Sequence, residues 1–367
     1  MHAVIVGGGI GGLAAAIGFG RAGWRVTVYE RQPQLTAAGA GILLWPNAVH
    51  ALGALGLGEE IRKNSVPGDG GVRRSDGTWL SRIRAADIEE RLGVPAMTIH
   101  RATLHRALEN ALDPQTEVHT GTEVTTIPDE GDLIVVADGI NSVLRRELAP
   151  QVAVRDSGQV AWRAIVPVDT VGQPGGETLG RGWRFGTAPV GHGQTYWYAA
   201  GPGPLRTTPS EDQLEELTKR FQNWHDPISA LIAATRPGQL LHHQLADLDP
   251  VPPMAYGNRI ALLGDAAHAM TPNLGQGAAQ ALEDAVTLVA EAGAQDGLAR
   301  YDAARRPRAA RYVRNSRRAG VVLNARGRVT STLRDAILRA TPHRVALANA
   351  VKTADWRPPT LPVAERP

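Results

Sequence analysis

The feature that most constrains this chain is a glycine fingerprint set between two strand-like runs near its start. Residues 3–6 form a short apolar run, as expected of a strand buried on both faces. Gly7, Gly9 and Gly12 follow in G-x-G-x-x-G spacing, and then comes a helical stretch with Leu13 and Ile17 four apart, ending near Gly23. Residues 25–29 read as a second strand, closed by Glu30. Gly7 permits the tight turn, Gly9 lets a pyrophosphate approach the backbone, and Gly12 lets helix and strand pack closely. The helix amino terminus offers free N–H groups and a positive dipole end. Glu30 stands 18 residues beyond Gly12. A carboxylate there accepts hydrogen bonds from both ribose hydroxyls and repels a 2′-phosphate, so the site suits FAD or NAD rather than NADP. A bare glycine turn is the alternative, and the strand, helix and acid in register weigh against it.

The 367 residues suffice for two domains or one large α/β unit with an insertion. Hydrophobic residues make up 43% and charged residues 20%, which excludes a disordered chain, a collagen-like chain and a small disulfide-stapled module. With no cysteine, disulfides, thiolate catalysis and cysteine metal sites are excluded, and a reducing, cytoplasmic location is expected. A net charge of +3 is no nucleic-acid footprint. No run reaches the roughly 18 apolar residues of a membrane span. The start reads as the first strand rather than as a signal peptide.

Further along, residues 59–92 are charged and glycine-rich with little periodicity, and residues 104–112 read as a helix. Residues 133–136 and 259–263 are buried apolar strands. Alternation predicts antiparallel strands at 161–168, 183–188 and 195–199, and residues 210–224 read as a helix. From Gly275 to about Ala350 nearly everything looks helical, and the proline-bearing tail beyond Asp355 reads as frayed. Parallel-type strands at both ends, with antiparallel ones between, predict an α/β fold with a discontinuous nucleotide-binding unit and an inserted sheet.

Two more motifs end strands. Asp132-Leu-Ile-Val-Val-Ala-Asp138-Gly139 runs into a helix, and Gly264-Asp265-Ala-Ala-His268-Ala-Met-Thr-Pro272-Asn273-Leu-Gly275-Gln276-Gly277 opens one. Asp265 at its strand end can accept hydrogen bonds from sugar-alcohol hydroxyls, and the 275–277 turn can aim N–H groups at an anionic ring. With Gly39-Ala-Gly41-Ile-Leu-Leu-Trp-Pro46-Asn47 and His100-Arg101-Ala-Thr-Leu104-His105, these motifs resemble the single-component (class A) FAD-dependent monooxygenases of the para-hydroxybenzoate hydroxylase fold. The resemblance covers nearly the whole chain and is nearest the urate hydroxylase, 3-hydroxybenzoate 6-hydroxylase and zeaxanthin epoxidase-like branch.

The resemblance implies a Rossmann-like FAD-binding domain of glutathione-reductase type over 1–72, 97–155 and 254–350. It also implies a mainly antiparallel substrate domain over 73–96 and 156–253, a helical C-terminal region, and a tail at 351–367. It implies that Gly7, Gly9, Gly12 and Glu30 hold the ADP half of FAD, that Val124 meets adenine through its backbone, that Arg101 and Asp265 serve the ribityl-pyrophosphate stretch, that Asp138 with Gly139 serves FAD and NAD(P)H binding together, and that Arg31 and Gly41 also bind the cofactor. Pro272, Gly275, Gln276 and Gly277 would line the isoalloxazine ring. The activity implied is hydroxylation of a small aromatic or heteroaromatic substrate with NADH or NADPH and O2, through a flavin C4a-hydroperoxide. A monomer or homodimer with no metal is expected. An epoxidase, a halogenase or a non-catalytic flavin-binding protein are the alternatives. Trp162-Arg-Ala-Ile-Val-Pro167 lacks the second tryptophan of the halogenase motif. The chain departs from the family at Val136, in place of a glycine, and in the short 124–132 segment, where the family inserts a meander.

The substrate pocket is expected on the inserted sheet. Tyr196 and Tyr198 share a strand face and Trp197 points the other way. The resemblance implies substrate contacts for Arg184 and Tyr196, with Trp183, Tyr198 and Asn273 beside them, and catalytic parts for Pro272, Arg184 and Tyr196. A surface ion pair for Arg184 and a sheet aromatic for Tyr196 are equally open readings. Asn273 stands where the urate-hydroxylase branch carries an acid. His268 reads as structural rather than as a base, and His192 as a solvated turn. The arginine-rich stretch 305–318 reads as an exposed helix face.

Overall fold

The computed structural model describes residues 1–35, 40–205 and 207–364. Gly39 and the last three residues of the tail lie outside the described residues. A six-stranded sheet runs, in spatial order, Ala255–Tyr256, Ile260–Leu262, Leu133–Val136, His2–Val6, Arg25–Glu30 and Glu117–Thr120. Its neighbours are parallel except for the outermost Ala255–Tyr256. Residues 3–6 and 133–136 are fully buried, which explains their unbroken apolar runs. Helices Ile10–Arg21 and Gly277–Glu291 pack together and share one apolar core with these strands.

A seven-stranded sheet runs Leu241–Asp249, Ala153–Val166, Gln194–Pro202, Arg184–Gly191, Gly176–Leu179, Gly70–Arg74 and Trp79–Ile83. It is antiparallel apart from the pair Gly176–Leu179 and Gly70–Arg74. One face buries Trp162, Phe185 and Trp197 against Leu217 and Phe221 of helix Ser210–Phe221 and Leu231 of helix Ile228–Ala233. A small third sheet, Gly41–Leu44, Met97–His100 and Val66–Pro67, stands near its other face. We propose that the two large sheets mark the two units expected from the sequence, the inserted one beginning with the strands at Gly70 and Ala153.

Two expectations are corrected, and one stretch left unassigned by the sequence is resolved into elements. The weakly periodic stretch 59–92 folds into helix Gly58–Asn64, strands Gly70–Arg74 and Trp79–Ile83, and helix Ala85–Leu92. The described part of the tail is docked rather than frayed: Trp356 and Leu361 pack on the main core and Ala364 N–H donates to Arg21 O at 2.9 Å. The arginines of helix Gly297–Leu323 do not simply face solvent. Arg305 is buried between Glu283 and Asp284, Arg308 binds Glu283, and Arg317 binds Asp247 at 3.0 Å.

That buried charge cluster joins three parts of the chain. Asp284 Oδ2 accepts from Gly264 N–H at 3.0 Å and meets His268 Nε2 at 2.5 Å, while Arg305 Nε donates to Oδ1 at 2.7 Å. Glu283 accepts from Asn47 Nδ2 at 2.6 Å and from Arg308. Burial pushes the Asp284 carboxyl up, but His268 and Arg305 outweigh it and hold the pKa at about 2. Its ordinary value is 3.8, so this carboxylate contributes about 2 kcal/mol, complete above pH about 4 and lost as pH falls through about 2. Urea titrations from pH 5 down to 2 should therefore show a steeper loss of stability for the native chain than for Asp284→Asn. Arg305→Met leaves two buried carboxylates short of a partner and should lower the unfolding free energy by about 3–5 kcal/mol.

Candidate functional site

At the carboxyl ends of the parallel strands the three fingerprint glycines have different physical reasons. Gly7 sits at φ +111°, and a Cβ there would lie 2.3 Å from Ala137 O. A Cβ on Gly12 would lie 1.9 Å from Gly7 O. Both are demanded by the fold itself. Gly9 caps helix Ile10–Arg21 with ordinary backbone, and a Cβ there would meet nothing within 4 Å. Its bareness serves no contact in the protein and leaves space in front of the free N–H groups of the helix. Glu30 closes the second strand beside this space: Oε2 accepts from Gly8 N–H at 2.7 Å and Oε1 from Gln32 N–H at 2.8 Å. Arg31 is exposed next to it, and Val124 is half-buried against the core.

The other end of the space is framed by the loop 272–277. Its Pro272–Leu274 turn ends on Gly275 at φ +62°, a left-handed position that favours glycine, and Gln276 caps helix Gly277–Glu291. A Cβ on Gly277 would again meet nothing within 4 Å. Gln276 Oε1 accepts from Asn47 Nδ2 at 2.9 Å. Its own Nε2 is buried without a partner, as are Asn47 Oδ1, Trp45 Nε1 and Asp138 Oδ1. Buried polar atoms are rarely left unpaired, so this set points to an absent polar ligand. Burial pushes the Asp138 carboxyl up, opposed by its hydrogen bond from Ser142. Burial lowers the pKa of Arg101 and the nearby Asp265 raises it, although neither side chain makes a hydrogen bond or ion pair among the described residues. Open glycines at two helix starts, an acid at ribose position and unpaired polar atoms at the ring end fit FAD.

The seven-stranded sheet turns its second face toward this end. As expected, Tyr196 and Tyr198 lie on one face, with ring centroids 6.2 Å apart, and Trp197 is buried on the other. Gly41 brings the small sheet against that face, since a Cβ there would lie 2.4 Å from the Tyr196 ring. Burial raises the Tyr196 pKa, and the charges of Arg163 and Arg101 oppose the rise; Arg163 shares the strand face of Tyr196. The Arg163 side chain has no hydrogen bond or ion pair among the described residues, and Arg163 sits beside Tyr198 in the register. Burial and then Arg163 depress the pKa of His243.

Two expectations about this face are corrected. Trp183 is not brought to the pocket: it stacks on Trp162 at 5.8 Å and meets Phe221 edge-on, in the core behind the sheet. Arg184 is in a buried ion pair rather than a surface one, and its Nε has no partner. It is 2% exposed, with Nη1 donating to Glu177 Oε1 at 2.9 Å and Nη2 to Asn273 Oδ1 at 2.8 Å. Tyr198 donates to the same Glu177 oxygen at 2.7 Å, and burial and then Glu177 push its pKa well up. Asn273 Nδ2 is spent on Thr271 Oγ1 at 2.9 Å and Ser316 O at 2.8 Å. Glu177, Arg163 and His243 were not singled out by the sequence. Glu177 lies in a short strand whose register with Arg184–Gly191 carries it to the pocket face. His268 is the buried partner of Asp284, as its structural reading holds, and His192 is exposed in a hairpin turn at φ +53°.

A family model described as an FAD binding domain matches residues 1–134 and 130–316. The aurachin C monooxygenase/isomerase of Stigmatella aurantiaca is 36% identical over 87% of this chain and 88% of its own length. The FAD-dependent urate hydroxylase of Klebsiella pneumoniae is 32% identical over 78% of this chain and 80% of its own. The crystal structure of Klebsiella pneumoniae HpxO complexed with FAD and uric acid superposes with a TM-score of 0.87 at 27% identity, covering 96% of each chain.

The distinct roles of the glycines give a direct test. Gly9→Ala should keep the native circular dichroism spectrum and melting temperature but bind FAD about tenfold or more weakly, measured by fluorescence titration. Gly12→Ala should instead lose about 1–3 kcal/mol or more of stability, because the added methyl group runs into backbone.

Proposed function

The chain belongs to the FAD binding domain family, as a class A flavin hydroxylase, and from that premise we propose an NAD(P)H-dependent hydroxylase of small aromatic or heteroaromatic rings. The overall reaction is aryl C–H + O2 + NAD(P)H + H+ → aryl C–OH + H2O + NAD(P)+. When bound, FAD would supply the redox chemistry, hydride acceptance and O2 activation. Gly9, Glu30, Arg101 and Asp265 would hold its dinucleotide part, and the loop 272–277 with Trp45 and Asn47 its ring.

What carries the reading is that register puts Arg163 on the strand face of Tyr196, and that Arg101 starts its helix beside Gly41, which lies against the Tyr196 ring, with neither guanidinium group in an ion pair among the described residues. Two unpaired cations create a field that favours an anionic ring, either an ionised phenol or a carboxylate-bearing aromatic. Tyr196 presents a phenol to hydrogen-bond a substrate oxygen. The chain Tyr198–Glu177–Arg184–Asn273 fixes the floor of the pocket, and Glu177 cancels the charge of Arg184 there. The anion is therefore read by Arg163, not Arg184.

The test follows NAD(P)H oxidation and hydrogen peroxide with a panel of phenols, aromatic acids, purines and quinolones. A substrate should speed NAD(P)H loss while lowering peroxide per turnover. A flavin that no donor reduces with any ligand would overturn the reading in favour of a flavin-binding protein. Once a substrate is found, Tyr196→Phe should lower kcat/KM by about 100-fold with FAD still bound. Arg163→Met should raise KM about tenfold for an anionic substrate and much less for a neutral analogue.

A further inference from the structure

Helix Arg328–Ala340 is built inside out. Its buried residues are Ser331 and Arg334, and Arg334 donates to Gly180 O at 3.0 Å and Leu323 O at 2.9 Å. None of its residues belongs to an apolar cluster of the described core. Val329, Leu333 and Ile337, spaced by four on one face, are instead 79%, 58% and 58% exposed. Ala336 and Ala340 lie between them and are exposed too. Just before this helix, at the end of helix Gly297–Leu323, Val321 and Val322 are 77% and 54% exposed. An amphipathic helix whose apolar face looks outward needs something to cover it.

Charge decides between the candidate covers. Residues 326–354 contain six arginines and lysines against one acid, Asp335, which is held by Arg334. Arg326, Arg328, Arg339 and Arg344 have no hydrogen bond or ion pair from their side chains among the described residues. A second copy meeting this face two-fold would set basic rim against basic rim. An anionic lipid surface complements both the apolar stripe and the rim. No helix among the described residues is long and apolar enough to cross a membrane, so the attachment is to one face of the bilayer. Val321 and Arg326 also edge a cavity of about 210 Å³ that reaches Thr271 and Asn273, the latter bonded to Arg184.

We propose that helix Arg328–Ala340, with Val321 and Val322, docks this protein on an anionic lipid surface, setting the mouth of that cavity at the bilayer. The docking stands apart from the catalytic reading, since it is measured by binding alone. The FAD-loaded full chain is sedimented with phosphatidylcholine vesicles and with vesicles containing about a third phosphatidylglycerol. The native protein should pellet with the anionic vesicles, weakly with the neutral ones, and be released by high salt. L333E/I337E and R328Q/R339Q should each lower the partition coefficient about tenfold or more, with FAD content and melting temperature unchanged. Equal sedimentation with and without anionic vesicles overturns the proposal. So does a dimer in sedimentation velocity that L333E/I337E converts to monomer, which would assign the face to a second copy.

Discussion

Three segments far apart in sequence meet on one buried pair of carboxylates. Glu283 and Asp284 follow each other on the helix that opens at Gly277, and Arg305 lies across both. Glu283 reaches Asn47, and Asp284 reaches Gly264 and His268. Those partners belong to the segment after the Gly41 strand and to the turn that carries Asp265. Burying two carboxylates is costly unless every oxygen is bonded, and here the bonds come from both sides of the site. The cluster therefore works as a register pin. It sets where Gln276, Trp45 and Asp265 stand relative to one another, and with them the space that the cofactor fills.

The pocket is formed by two sheets that approach closely. The missing side chain at Gly41 lets the Tyr196 ring lie against the small sheet, and Gly186, on the neighbouring strand of the large sheet, leaves room for the Tyr198 ring, 1.9 Å from where a Cβ would stand. Behind the sheet, Trp162, Trp183, Phe185, Trp197 and Phe221 stack and cross in an aromatic core. That core fixes the strand direction on which Arg163, Tyr196 and Tyr198 depend. Alternation along a strand then does the sorting: Trp162 and Ala164 go to the core, while Arg163 goes to the pocket. Electrostatics on the pocket face follow from pairing. Arg184 is ion-paired with Glu177, whereas Arg163 has no ion pair among the described residues and Arg101 has an acid, Asp265, nearby but not in an ion pair with it.

Local pattern carried much of this. The opening β-α-β unit, the strands at 133–136 and 183–188, the opposed faces of Tyr196 and Trp197, and the turn at 275–277 could be read from composition and spacing, because each rests on neighbours in sequence. The stretch 59–92 was opaque for the opposite reason. Its strands Gly70–Arg74 and Trp79–Ile83 form the edge of a sheet and keep most residues partly exposed, so they lack an apolar rhythm. Strand Leu241–Asp249 was missed because His242, His243 and Gln244 interrupt its alternation, and it is held by pairing with Ala153–Val166.

The sequence by itself determined the nucleotide-binding start, since a tight glycine turn, a helix amino terminus and a ribose acid are all local requirements, and its further motifs carried the family resemblance and with it FAD. Tertiary structure decided which charges are free. Nothing in the run of arginines from 305 to 318 distinguishes Arg305, sealed between two carboxylates, from Arg311 or Arg314 at the surface. Nothing near Glu177 marks it as the partner of Arg184, or Trp183 as a core residue rather than a pocket wall. Each depends on strand register and on which helix face meets which neighbour. Those are long-range contacts, and a charge takes its role from the partner across the fold rather than from the residue beside it in the chain.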